Sequence, residues 1–177
     1  MTATFAKVSA SKADIRPALE KDIASIQSMA QRIWPVCFAG IIPPEKLTEM
    51  VERIYSEENL VQEVKSGHRF WVASLDGKPV GYVSAYKEKY AVWLKKLYLD
   101  PEHQGKGIGA TMMRTAVASF LPASEIRLLV NNGNLSAQRF YERMGFTWTE
   151  EVAVTMGGHA FTDYLYIKPL NADSAHV

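Results

Sequence analysis

Cysteine is nearly absent from this 177-residue chain, which holds only Cys37. An internal disulfide and a cysteine-based zinc site are thereby excluded, and a reducing compartment such as the cytoplasm fits best. Cys37 lies in an apolar stretch, where a free cysteine reads as a small buried hydrophobe before it reads as a nucleophile. Charge of one sign is lacking too. Twenty Lys+Arg against 19 Asp+Glu leave a formal net charge of +1, so no whole-chain field draws the protein to nucleic acid or to an anionic membrane. The longest uncharged run, Ile33 to Pro44, is too short to span a bilayer and contains Pro35, Pro43 and Pro44. No apolar core of signal-peptide length precedes residue 14, so 1–13 is expected to be a flexible tail, 14–170 one domain and 171–177 a second tail. With 47% apolar and 22% charged residues, collagen-like and disordered classes are excluded as well.

What is present reads as an ordered series of elements. A short strand at 14–18 precedes Ile23, Ile26, Met29, Ala30 and Ile33 at helical spacing, in a helix that Pro35 is expected to stop. Pro43 and Pro44 suit the start of a second helix, with Leu47, Met50, Val51, Ile54 and Tyr55 on one face. A further helical turn or two ends at Gly67. Residues 69–75 and 79–86 read as strands joined by a hairpin at Asp76-Gly77, and a third strand, 91–99, follows. Then the pattern changes to a Gly-rich loop at 104–109, a helix to about Leu121, a strand at 125–130, a helix from Leu135 to Met144 closed by Gly145, and two last strands near 146–155 and 161–168. Strand, crossover helix, strand implies a parallel pair. The fold class is therefore α/β (α+β), with a mixed, mainly antiparallel sheet flanked by helices.

Gln104-Gly105-Lys106-Gly107-Ile108-Gly109 stands between a strand and a helix. Glycines there let backbone approach a ligand closely, and the first N–H groups of a helix lack intrahelical partners and carry the positive end of its dipole, so the loop suits a pyrophosphate. A purely structural turn is the plainer alternative. A Walker A loop is excluded because no Gly-Lys-Ser/Thr occurs, and a dinucleotide fold fits poorly because the loop follows an antiparallel meander and no ribose-binding acid comes about 20 residues later.

The pattern Q-x-x-G-x-G after a strand ending L-Y-L-D-P, followed by N-x-x-A-x-x-F-Y-x-x-x-G-F (Asn134, Ala137, Phe140, Tyr141, Gly145, Phe146), resembles the GNAT superfamily of acetyl-CoA-dependent N-acetyltransferases. The resemblance covers about residues 14–170 and is most specific over 93–148. It implies the GNAT fold, in which two parallel strands splay apart around the pantetheine arm, and acetyl-CoA as co-substrate with no metal. It places the backbone amides of Gln104, Gly105, Lys106, Gly107, Ile108 and Gly109 on the pyrophosphate. Leu97, Tyr98 and Leu99 would line the pantetheine, with Leu97 and Leu99 pairing to its amides, and a backbone amide near Leu97 would serve the oxyanion. Asn134 and Ala137 fall on the coenzyme side, and Tyr141 is the implied general acid. Each has a structural alternative: Tyr141 as core, Asn134 as helix N-cap, Phe140 as packing.

The family's strand carboxylate has no counterpart in Ala91 to Leu97. Glu88 is the nearest candidate base, with a solvated hairpin residue as its plainer reading, and deprotonation through water as the alternative. The expected partner is a small-molecule amine, because Met156, Gly157, Thr162 and Asp163 together with the second helix are similar to bacterial PaiA-type polyamine acetyltransferases. A protein N-terminus or lysine is the alternative acceptor, and a non-catalytic CoA-binding module the alternative class. Glu45, Glu49 and Glu52 fall on one helix face, expected either to border an acceptor groove or simply to face solvent. No nucleic acid or membrane partner is expected, and exposed edge strands are compatible with a homodimer.

Overall fold

The computed structural model describes residues 12–171; residues 1–11 and 172–177, nearly all of the two expected tails, lie outside the described residues. Seven strands form one sheet: β1 (Asp14–Pro17), β2 (Arg69–Leu75), β3 (Lys78–Glu88), β4 (Ala91–Leu99), β5 (Glu125–Asn131), β6 (Thr147–Met156) and β7 (His159–Pro169), in the order β1-β2-β3-β4-β5-β7-β6. Every neighbouring pair is antiparallel except β4 and β5. Asp76 and Gly77, both at positive φ (48° and 76°), turn the β2–β3 hairpin as its sequence predicts.

Helices cover both faces. On one lie α1 (Ile23–Cys37), α2 (Pro44–Ile54) and α3 (Glu57–Lys65), over a core that includes Phe70, Val72 and Tyr82; on the other, α4 (Ile108–Ala118) and α5 (Leu135–Arg143) cover Trp71, Ala73, Val83 and Val92. Residues 70–73 alternate between the two cores, as a strand buried on both faces must. The helix starts are legible locally: Pro44 opens α2, and the Ser56 hydroxyl caps α3 by accepting from the Asn59 N–H at 3.2 Å.

Two boundaries differ from expectation. Pro35 does not stop α1, which runs on to Cys37. Proline removes one N–H donor, and the carbonyl it orphans belongs to Gln31 on the exposed side, where water can serve it; the Phe38 N–H then closes back on the Trp34 carbonyl at 2.9 Å. The helix after the Gly-rich loop ends at Ala118 rather than Leu121, in a short turn where Phe120 N–H bonds Val117. Among the described residues no helix is long and apolar enough to cross a membrane.

Candidate active site

The parallel pairing of β4 and β5 lasts three residue pairs, Ala91 to Trp93 against Glu125 to Arg127. Beyond it the strands separate, and a cleft of about 410 Å³ opens between them. The divergence coincides with an irregularity in β4: Ala85 pairs with Leu94 but Ser84 with Lys96, which leaves Lys95 as an extra residue. Such a bulge shifts the side-chain phase by one. Val92 and Leu94 therefore face the α4 side, and after the bulge Leu97 and Leu99 do, whereas Lys96 and Tyr98 turn to the α1–α3 side.

Past the end of β4, whose residues Trp93 to Tyr98 line the cleft, comes the Gly-rich loop. Gly105 and Gly107 sit at φ +74° and +80°, a conformation only glycine adopts without strain, and a Cβ on either would meet no protein atom within 4 Å. Among the described residues the N–H groups of Gly105, Lys106 and Gly107 find no carbonyl acceptor, and those of Ile108 and Gly109 open α4 and lack a partner one turn back. These are the features of an anion cradle. The Gln104 side chain braces it by donating to the Leu99 carbonyl at 3.1 Å, and buried Asp100, just upstream, accepts two hydrogen bonds from Arg32 of α1 at 2.9 and 2.8 Å. Asp100, Glu102 and His103 bring ligand atoms within 4.8 Å of one another, but that pairing already commits Asp100. The Lys106 ammonium reaches the Glu102 carbonyl at 3.1 Å and is otherwise in solvent.

The far wall comes from β5 and α5. Asn134 is the N-cap of α5, its side-chain oxygen accepting from the Ala137 N–H at 3.2 Å, and both residues line the cleft. Tyr141 lines it as well. The C-terminus of α5 fixes that ring: Gly145 at φ +89° lets the Phe146 N–H bond the Tyr141 carbonyl and the Gly145 N–H bond the Glu142 carbonyl, both at 3.0 Å, while the rings of Phe146 and Tyr141 meet edge-on at 5.6 Å. Burial pushes the Tyr141 phenol well above its ordinary value, so it is a protonated donor at any working pH. Phe140 instead packs beside Gly109.

The opposite end is built of side chains. Trp34, Tyr55, Tyr82 and Tyr98 form an aromatic cluster in which the Trp34 indole and the Tyr82 hydroxyl both donate to the Tyr55 oxygen, at 3.0 and 2.7 Å. Lys96 is 5% exposed and meets both oxygens of Glu63 at 2.7 and 2.6 Å, over the rings of Tyr55 and Phe70. Burial lowers its pKa, and Glu63 works against that shift. Asp163 enters from β7.

Five of the residues expected at the site, Leu97, Tyr98, Asn134, Ala137 and Tyr141, line one cleft. Leu99 is buried in the core on the α4 side, and the 104–109 loop follows β4 outside the lining of that cleft. Glu88 does not join them: it is exposed at the tip of the β3–β4 hairpin, paired with Ala91, at the opposite end of β4 from Leu97. Glu45, Glu49 and Glu52 are likewise exposed and outside the cleft, because Leu47, Met50 and Val51 claim the inward face of α2. Cys37 is half-buried and its thiol is pushed up by burial, the opposite of an activated nucleophile. Glu63 carried no expected role at the site, and Asp163 was expected only as part of the pattern shared with PaiA-type enzymes.

A profile of the acetyltransferase (GNAT) domain matches residues 66–148, from the start of β2 through the end of α5 and the cradle between them. Residues 66–148 thus carry a GNAT acetyltransferase domain. It is 29% identical over 153 residues to an uncharacterized N-acetyltransferase of Mycobacterium tuberculosis, spanning 84% of this chain and 98% of that one. A spermidine N(1)-acetyltransferase of Thermoplasma acidophilum is 27% identical over 140 residues, 75% of this chain and 87% of its own. Among solved structures, the PaiA N-acetyltransferase of Thermoplasma acidophilum in complex with coenzyme A superposes with a TM-score of 0.77 at 25% identity, covering 90% of this chain and 99% of that one. The mixed sheet with its splayed parallel pair is thus the GNAT fold, and acetyl transfer is the chemistry of this GNAT N-acetyltransferase.

Proposed function

We propose that this GNAT protein moves the acetyl group of acetyl-CoA to a primary amine of a small cationic acceptor, with polyamines as the first class to test. On the donor side the free N–H groups from Gly105 to Gly109 suit the pyrophosphate, and the unpaired inner edges of β4 and β5 suit the pantetheine amides. A backbone N–H near Leu97, just past the bulge, suits the oxygen of the thioester carbonyl, where negative charge develops. The acceptor nitrogen bonds to the acetyl carbon, the carbon–sulfur bond breaks, and its electron pair leaves on sulfur. Tyr141 gives that sulfur a hydrogen bond and then a proton. A phenol made less acidic by burial transfers a proton to thiolate against the gradient, so its contribution belongs at the lower end of the range of about 10²–10⁴-fold.

The observation that carries the acceptor class is the Asp163 carboxylate, buried in an aromatic-walled cleft with one oxygen unpartnered. An acid so placed favours an acceptor whose reacting nitrogen arrives as an ammonium, and the rings of Trp34, Phe38 and Tyr98 favour a cationic chain over their faces. The similarity to the spermidine acetyltransferase points the same way. The test is kcat/KM, followed by release of free thiol, for spermidine, a neutral-tailed amine and a peptide N-terminus at two ionic strengths. Spermidine should be preferred and its advantage should shrink with salt. A faster peptide overturns the acceptor class, and absence of thiol release from every amine overturns the transferase reading.

A further inference from the structure

Among the described residues, three inward-facing carboxylates each hold a cation. Asp22 holds Arg16, with N–O distances of 2.8 Å, Asp100 holds Arg32 in the same two-pronged manner, and Glu63 holds Lys96. Asp163 is the exception. It lies in β7 between Asn131 of β5 and Val152 of β6, is 9% exposed, and its Oδ1 is buried with no hydrogen-bond partner among the described residues. A buried carboxylate with no ion-pair partner costs stability, and Lys95 acts on Asp163 only through its charge, without an ion-pair contact. What sets the position apart is where it opens: onto the cleft, in company with Leu97, Tyr98 and Tyr141.

We propose that Asp163 is the proton acceptor for the attacking amine, the base that no residue of β4 supplies. The inference rests on the acetyl-transfer reading and adds a residue to it. An ammonium acceptor gives up two protons in all. Asp163 takes the first, which frees the nitrogen lone pair for attack; the second leaves the nitrogen once it is acylated and restores the proton that Tyr141 has given to the coenzyme sulfur. Asp163 then returns its proton to water, so the net reaction releases one proton. Charged and titratable groups around Asp163 set its readiness. Burial raises its pKa, while a hydrogen bond from Asn131 and the charge of Lys95 pull it down; Tyr98 faces it from β4, and Val152 from β6 brings no charge. A raised carboxylate is a stronger base and must be ionised to act, so kcat/KM falls as pH falls through that raised value.

The experiment compares wild type with Asp163→Asn, which keeps the shape, on spermidine and on an amine of low basicity that is already neutral at the assay pH. The variant should lose about 10²-fold in kcat/KM or more on spermidine and far less on the weakly basic amine, and its rate should climb with pH toward the amine's own pKa. CoA affinity should be unchanged, and the thermal midpoint at neutral pH should rise, because the uncompensated charge is gone. Equal losses on both amines with an unaltered pH profile would assign Asp163 a structural role and overturn the proposal, as would no loss. If wild type acetylates only the peptide, the polyamine reading fails while the same comparison on that peptide still tests Asp163. If no amine is acetylated, the 13C carboxyl resonance of Asp163 decides: in the CoA complex it must titrate above an ordinary aspartate and respond to spermidine, and an unresponsive resonance overturns the assignment.

Discussion

At the loop end of the cleft the protein presents backbone, and at the other end it presents buried side chains. The cradle proposed at Gly105 to Gly109 would bind through N–H groups whose directions follow from φ and ψ, so a short local pattern with glycine at two left-handed positions specifies it. The proposed acceptor end gathers Glu63 from α3, Lys96 from β4, Asp163 from β7 and Trp34 from α1, and no single stretch of chain contains the set. Where recognition is made of backbone it leaves a spacing; where it is made of side chains it leaves only a three-dimensional neighbourhood.

The sharpest way to separate the two ends is to damage each in its own currency. Glu63→Gln strands the Lys96 ammonium in a site that is 5% exposed, and removing one partner of a buried pair costs about 3–5 kcal/mol. Denaturant unfolding should show that loss, with most of it recovered in the double variant Glu63→Gln, Lys96→Met. The loss should shrink as pH rises: without Glu63 the already lowered pKa of Lys96 falls further, the unfolded state then binds more protons than the folded one, and stability grows with pH. Next in size, Gly107→Val should abolish the stabilisation by acetyl-CoA, which for wild type amounts to about 2.7 kcal/mol at a hundredfold excess over Kd. In the unliganded protein the new side chain meets open space, so its own cost is backbone strain at φ +80° alone. Thermal melts with and without acetyl-CoA measure both effects. Smallest is Tyr141→Phe: the ring still packs against Phe146, CoA-dependent stabilisation stays, and kcat falls about a hundredfold. An unchanged kcat would reduce Tyr141 to packing and leave the donor end without its acid.

The same contrast explains what could be read from the sequence. Strands β2 to β5, the 104–109 loop and α5 were legible because their signals are local: the Asp76-Gly77 turn, glycine at the loop, Asn134 before a helix and Gly145 after it. Lys96 was not, since Lys95-Lys96 looks like an exposed pair until the bulge shifts the phase and turns the second lysine inward. Glu63 was one glutamate among six between residues 45 and 63, and what distinguishes it is Lys96, 33 positions away. Asp163 sits in an alternating hairpin where any acid reads as outward-facing. Glu88 and the acidic stripe of α2 drew attention by closeness to a motif or by density, and neither property brings a side chain to a cleft. Pro35 misled in the other direction, because a proline in the last turn of a helix forfeits one hydrogen bond that water can replace.

The three residue pairs that join β4 to β5 also give the sheet a mechanical character. They are the pin between two plates, β1 to β4 on one side and β5 to β7 on the other, and Arg127 clamps the pin by lying over the rings of both Tyr90 and Trp93 while its side chain bonds Glu125 and the Tyr90 hydroxyl. From Trp93 to Leu99 the strand extends about 20 Å at about 3.3 Å per residue, so a rotation of a few degrees at the clamp displaces the open end by about 1 Å. The arginine that braces the joined end of the two strands thus lies a strand's length from their open end.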